Sequence, residues 1–432
     1  MSSTTIVRWD GDLRVASEVL TRGFAGYGVP QRETPEAVQR QVEAGCIDPA
    51  RSFLALDSGV AIGGAFAAAR PDGCARLHAL VVDPGWRRRG LGRALLRAAR
   101  NDLEAAGSWE VGTETLVDNH AAIALYTAEG FRTARRVVCL RGEPPAHART
   151  GAETSLHAVR HLPAVVRPLH RDRVALRRMA GVRVALGERG GWIAWRDAVL
   201  LDLVAEEAEI DGLLAWLPRE PCKIVDVPEG DPLLAALRSR GWTEYATQLE
   251  MQAWPGSSCG GDSTSPIVVH PLPPGGGAAC ERILRLLPRW FGIEGPIVGY
   301  RRDVEAMETW VACSGARIVG FITIRQHTEC AAEVQVMAVR EELHRRGVGG
   351  QLLAHAEGEL RQKGVELLQV KTRGPSAPDP EYDRTRAFYR AQGFRPLEET
   401  MVVWGEEDPC LIMVKSLPAT RSAPAGSATR PP

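Results

Sequence analysis

The sequence carries no net charge: Lys and Arg together number 53, and so do Asp and Glu. With no bulk field of either sign, the composition argues against a nucleic-acid or anionic-membrane partner and for small-molecule work or a local protein contact. No apolar run reaches the ~18 residues that a membrane span needs. The start, MSSTTIVRWDGDLRV, has no basic-then-apolar leader pattern, so a cytoplasmic protein is expected. The nine cysteines form no CxxC and show no Cys/His ligand spacing, which points to reduced thiols and to neither a disulfide framework nor a metal site.

What is present is ample apolar material, 44% of 432 residues, with 25% charged. At roughly 100–200 residues per domain this makes room for two to four domains. Residues 253–279 (AWPGSSCGGDSTSPIVVHPLPPGGGAA) are rich in Gly, Pro and Ser and read as a linker, and residues 141–154 form a weaker break. The tail from Pro418 has almost nothing to bury and is expected to be disordered.

Sliding the chain by 257 positions lays Gly90 on Gly347, Gly92 on Gly349, Leu95 on Leu352, Leu96 on Leu353, Leu103 on Leu360 and Gly107 on Gly364. ALYTAEGF (124–131) then matches AFYRAQGF (387–394) at an offset of 263, the extra residues falling near the Pro-rich stretch Gly374–Asp379. The chain therefore contains two copies of one unit. A fainter echo, LLAALRSRGWTEYATQLEMQAW (233–254), has Leu237 in place of the tyrosine and no glycine-rich turn before it. The expected organisation is a first copy over 1–145, a degenerate half-unit over 155–255, a second copy over 266–417 and the tail 418–432. Each copy reads as α+β with a mixed sheet: paired strands, a β-branched strand running into the glycine turn, then a helix.

A strand, a basic turn with two close glycines and a helix start together make an anion site, because backbone N–H groups crowd there and the helix adds its positive end. The turn is not a dinucleotide fingerprint, since Leu95 and Leu352 stand where a small residue is needed, and it lacks the Gly-Lys-Ser/Thr of a P-loop.

These residues resemble the GNAT acetyltransferase superfamily, whose Gln/Arg-x-x-Gly-x-Gly/Ala turn holds the pyrophosphate of acetyl-CoA. Arg87, Arg88, Arg89, Gly90, Leu91 and Gly92 fit it throughout; His344, Arg345, Arg346, Gly347, Val348 and Gly349 fit except for His344. Arg93 and Gly350 follow directly and are grouped with the two turns. The family's second signature, Asn-x-x-Ala-x-x-x-Tyr-x-x-x-Gly-Phe, is met by Asn119, Ala122, Tyr126, Gly130 and Phe131. The second copy keeps Tyr389, Gly393 and Phe394 but has Tyr382 and Thr385 at the Asn and Ala places.

The resemblance implies two sites for acetyl-CoA and an acyltransferase acting on a primary amine, expected here to be a small molecule attacked directly in a ternary complex. It places the strand whose backbone polarises the acetyl carbonyl at Leu80, Val81 and Val82 and at Met337, Ala338 and Val339. Such a donor is worth ~3–4 kcal/mol of barrier. It makes Tyr126 and Tyr389 the proton donors to the leaving thiolate, and Glu333 a base in the second copy. In the first copy Arg76 occupies that place and cannot serve, so His78, on the face of Leu80 and Val82, is the candidate base. The other readings are a regulatory or scaffolding protein that binds acetyl-CoA with little turnover, and an acetyltransferase for protein lysines or N-termini. A homodimer is compatible with all of them.

Overall fold

In a computed structural model the chain forms two compact units, one up to Pro266 and one from Ile267 onward, with residues 285–297 and 315–317 grouped with the first. The structure describes residues 4–27, 33–70, 73–159, 173–254, 266–315, 317–405 and 408–418. Residues 255–265 of the expected linker and the tail from residue 419 lie outside these.

The first copy runs β1 (Thr4–Arg8), α1 (Leu13–Gly23), α2 (Pro35–Glu43), β2 (Phe53–Asp57), β3 (Val60–Ala69), β4 (Cys74–Val82), α3 (Leu91–Ala105), β5 (Glu110–Leu116), α4 (His120–Ala128) and β6 (Arg132–Gly142). The central segment continues with β7 (Ala152–Thr154), α5 (Arg173–Arg178), β8 (Arg183–Leu186), β9 (Trp192–Arg196), β10 (Val199–Val204), α6 (Glu207–Leu214), β11 (Cys222–Pro228), α7 (Pro232–Arg238) and β12 (Thr243–Ala253). Helix starts follow local chemistry. Asp12 accepts from the N–H groups of Arg14 and Val15, and Asp231 from that of Leu233.

All twelve strands join in one sheet, ordered β1-β2-β3-β4-β5-β12-β6-β11-β10-β9-β8-β7. The expected boundary at 145–155 thus falls inside a continuous sheet. The central segment is also more than a half-unit: its order of strands and helices repeats that of the first copy, with one described helix, α5, where the first copy has two. The two halves exchange their last strands. β12 pairs with β5 and β6, while β6 pairs with β12 and β11.

Burial dictates this exchange. Met251 and Ala253 of β12 lie in the first copy's core with Leu95, Val111 and Tyr126. Val138 and Leu140 of β6 lie in the central core with Trp195, Leu213 and Leu237. Each strand buries its apolar face in the partner half, so neither half closes its own core.

The second unit comprises β13 (Ile267–Pro271), α8 (Gly277–Arg285), α9 (Glu294–Ala306), β14 (Glu308–Ser314), β15 (Arg317–Gln326), β16 (Ala331–Val339), α10 (Val348–Gln362), β17 (Leu367–Arg373), α11 (Pro380–Ala391), β18 (Arg395–Thr400) and β19 (Cys410–Ser416). Its seven strands are ordered β13-β14-β15-β16-β17-β19-β18. Here β19 fills, from the same copy, the place that β12 fills in the first unit. The mixed α+β architecture expected from the sequence is the one found.

Candidate functional site

Both units contain a fork between two parallel strands. β4 pairs with β5 only over Cys74↔Glu110, Ala75↔Val111 and Arg76↔Gly112, and β16 with β17 only from Ala331↔Leu367 to Val334↔Val370. Beyond these rungs β4 runs on to Val82 and β16 to Val339 without the parallel partner. A one-residue bulge follows each last rung: His78 is skipped between Leu77 and Ala79, and Gln335 between Val334 and Val336, in the pairing with the preceding strand. The backbone of Leu80–Val82 and of Met337–Val339 thus lines an open wedge, with Val81 and Ala338 buried and their neighbours half-buried.

On the closed side the strands approach tightly. A Cβ on Gly63 would lie 2.8 Å from the Val81 carbonyl, and one on Gly320 3.1 Å from that of Ala338. Sequence reasoning did not single out this glycine pair, although it obeys the same 257-residue offset.

Each forking strand leads through a short turn to the glycine motif. Gly90 caps α3 at φ 83° and Gly347 caps α10 at φ 83°, both left-handed. Arg88 and Arg345 are also left-handed, at φ 64° and 59°. Alternation of this kind curls successive N–H groups toward one point. The first helical bonds are Ala94 N–H to Gly90 O and Gln351 N–H to Gly347 O. The N–H groups of Leu91, Gly92 and Arg93, and of Val348, Gly349 and Gly350, therefore precede the helical ladder and face the helix end. A Cβ on Gly90 or Gly347 would meet nothing within 4 Å, so these glycines are required by φ; one on Gly92 or Gly349 would touch Leu125 at 3.4 Å or Phe388 at 3.3 Å.

Several residues expected to contact the cofactor hold the fold together. Arg87 donates to Val82 O at 3.0 Å and to Gly23 O at 2.8 Å, and His344 Nε2 donates to Val339 O at 2.7 Å. Arg87 and His344 thus do one job, tying the turn to the last carbonyl of the forked strand, which explains how one replaces the other. Arg89 bonds Gly85 O and stacks over Trp86, and Arg93 pairs with Glu129 at 3.0 Å. Asn119 caps α4, accepting from Ala122 N–H. In the second unit Asp379 does this, accepting from Glu381 and Tyr382, so Tyr382 needs no capping side chain. What the two turns share is their backbone geometry, with Arg88 and Arg345 and then Gly90 and Gly347 left-handed.

Tyr126 and Tyr389 are buried, and burial raises both phenols above their ordinary range. Tyr126 hydrogen-bonds the Thr113 hydroxyl, whose Oγ1 in turn donates to Leu77 O at 3.1 Å across the fork. Val370 stands at the Thr113 position in the second unit, without a hydroxyl. Each tyrosine packs on the phenylalanine of its motif, at 5.4 Å between ring centres.

The expected bases are tied up. Arg76 Nη1 lies 2.7 Å from His78 Nδ1. A guanidinium only donates, so this nitrogen accepts and a neutral His78 keeps its proton on Nε2. Glu333 accepts from Lys371 with both oxygens at 2.9 Å, from Gln369 at 2.9 Å and from His327 at 2.8 Å. Burial alone would raise its carboxyl, but the Lys371, Gln369 and His327 donors outweigh it and hold it below the usual range. In the first unit Arg76 makes a corresponding pair with Glu114, at 2.6 Å. Glu114 and Lys371 were not anticipated. The same 257-residue slide aligns them, and a search for paired charge inversions would have found them.

Among its described residues the central segment lacks such a site. The start of α6 carries Glu206 as its cap with Glu207 and Glu209 in its first turn, three carboxylates where a phosphate would need free N–H groups.

Two forks of one geometry, each feeding a left-handed glycine at a helix start, define a duplicated GNAT fold. Residues 22–131 match the Acetyltransferase (GNAT) family and residues 305–396 the Acetyltransferase (GNAT) domain; the chain is a tandem GNAT protein, with one such domain in each compact unit. Over 113 residues, 26% of this chain, it is 36% identical to a mycothiol acetyltransferase of Clavibacter michiganensis subsp. michiganensis, covering 37% of that protein. Over 60 residues, 14% of this chain, it is 45% identical to the ribosomal protein bS18-alanine N-acetyltransferase of Escherichia coli, covering 40% of it. The chain thus matches well under half the length of each. Among solved structures, a GCN5-related N-acetyltransferase from Sphaerobacter thermophilus covers 59% of this chain and 97% of its own at 14% identity, with a TM-score of 0.44. Among the described residues no helix is long and apolar enough to cross a membrane.

Proposed function

We propose that this protein transfers an acetyl group from acetyl-CoA to a primary amine of a small molecule, by direct attack while both are bound. The observation that carries this reading is the repetition, in both units, of fork, left-handed glycine cap and buried tyrosine in the same order and geometry. The curled N–H groups of Arg88–Gly92 and of Arg345–Gly349, with the positive ends of α3 and α10, suit the pyrophosphate. The thioester then extends into the fork, where N–H groups of Leu80–Val82 or Met337–Val339 polarise the acetyl oxygen. As the amine attacks the carbonyl carbon, the C–S bond breaks and the thiolate takes the proton of Tyr126 or Tyr389. The amine's own proton leaves to water, since His78 and Glu333 are already engaged.

The test is free-thiol release from acetyl-CoA across a panel of small amines, with N-terminal peptides and lysine peptides as separate arms. Release with small amines supports the reading. Release with peptides alone reassigns the acceptor, and tight acetyl-CoA binding without release in any arm makes the protein an acetyl-CoA sensor.

A further inference from the structure

The two forks carry one ion pair with its charges exchanged. In the first unit the cation, Arg76, is on β4 and the carboxylate, Glu114, on β5. In the second the carboxylate, Glu333, is on β16 and the cation, Lys371, on β17. Both positions obey the 257-residue offset, so both members have changed sign together and the attraction has been kept.

The location is as specific as the inversion. Arg76 belongs to the last paired rung of its fork and Glu333 to the last but one. Glu114 and Lys371 each stand two residues further along the opposite strand than the partner's rung. Each pair therefore reaches diagonally toward the point where backbone bonding between the strands ends. Each is also fixed from the sides. Arg76 places Nε and Nη2 on Glu114 Oε2 and Nη1 on the bulge residue His78, while Glu333 is gripped by Gln369 and His327 as well as Lys371.

A proton acceptor has to sit at one place relative to the attacking nitrogen. It could not lie on one strand of the fork in the first unit and on the other strand in the second. An electrostatic tie between strands has no such constraint, because attraction does not depend on which strand bears which sign. We propose that Arg76–Glu114 and Glu333–Lys371 are positioning residues: each pair clamps the base of its fork, sets the opening into which the acetyl group fits, and works with either sense of charge. The carboxylate of neither pair receives the amine proton. This rests on the reading of the fork as the acetyl site, and the test below separates the two.

In the full chain, Glu333→Lys, Lys371→Glu and the exchanged double variant are compared with wild type, and Arg76→Glu, Glu114→Arg and their double variant likewise. Three quantities are read: amide hydrogen exchange at Leu80–Val82 and Met337–Val339, the Kd for acetyl-CoA, and the pH profile of thiol release. Each single variant should speed exchange at its own strand end and lower kcat by ~10²-fold, the effect of a small misplacement of reacting groups. Acetyl-CoA affinity, set mainly by the glycine turn, should change far less. The exchanged double variants should recover both exchange protection and kcat. Where like charges prevent folding of a single variant, Glu333→Gln and Glu114→Gln replace it; they should lower kcat and leave the shape of the pH profile unchanged. A folded double variant as slow as the worse single, or a Gln variant that abolishes the acidic limb of the profile, overturns the proposal. A wild type that releases no thiol refutes the functional reading alone, because the exchange data still decide the clamp.

Discussion

Glu250 of β12 stands directly opposite Glu114 of β5, although one closes the central segment and the other belongs to the first copy. The adjacent Met251 is buried in the first copy's core. A chain ending at residue 150 would therefore leave β5 and β6 with open edges and a core lacking Met251 and Ala253. It is expected to lack a cooperative thermal transition and to aggregate, whereas a chain ending at residue 254 should melt cooperatively. A sharp melt from the shorter fragment would show the exchanged strands to be dispensable.

Calorimetry should find two acetyl-CoA molecules bound per chain. The outer units have a left-handed glycine at the helix start, and the central segment has the carboxylates of Glu206, Glu207 and Glu209 there. Gly92→Glu and Gly349→Glu should each remove one binding event, since the new side chain meets Leu125 or Phe388 and adds a negative charge at the turn. A stoichiometry of one in the wild type would make one turn vestigial.

Tyr126→Phe and Tyr389→Phe should reduce turnover by ~10²–10⁴-fold in whichever unit is active, with acetyl-CoA affinity nearly unchanged. Burial raises both phenols, so the proton to be donated is held across the working pH range and the tyrosines add no alkaline limb below their ordinary value. Wild-type rates in both single variants and in the double variant would remove the proton-donor role.

Cofactor affinity in the second unit between pH 6 and 8 depends on how His344 holds the turn. His344 Nε2 donates to Val339 O, a bond that a neutral ring makes as well as a charged one. Affinity should stay flat over that interval, and His344→Ala should weaken it at every pH by loosening the turn. Titrations of the Gly92→Glu variant, which isolates the second site, give the answer directly.

Glu333 also makes a pH-dependent contribution to stability. Its folded carboxyl is held below the ordinary value of 4.5 by its Lys371, Gln369 and His327 donors, so the ionised form is favoured by folding. That stability is fully present above about 4.5 and is lost as pH falls through the lower folded value. Glu333→Gln should be less stable than wild type near pH 7, because Lys371 loses its partner, and should lose less stability between pH 5 and 3. Parallel denaturation curves for the two proteins across that interval would contradict the assignment.

The sequence by itself determined the features that depend on residues a few positions apart. Gly90 and Gly347 announce the helix starts because only glycine adopts φ near 83° without strain, and the motif spacing puts Tyr126 and Tyr389 on helices whose Phe131 and Phe394 follow one turn later. The 257-residue repeat, carried by such local signals, gave the two outer folds. Tertiary structure alone decided which groups are free to react. Arg87 and His344 look like phosphate ligands until the turn folds them back onto the strand carbonyls. His78 and Glu333 look like bases until Arg76 and Lys371 reach them across or along the strands. The exchange of β6 and β12 was equally hidden, because alternating apolar residues specify a buried face without specifying which core buries it. That choice is made by packing between residues far apart in the chain, which gathers Met251 into one core with Val111 and Val138 into another with Leu213.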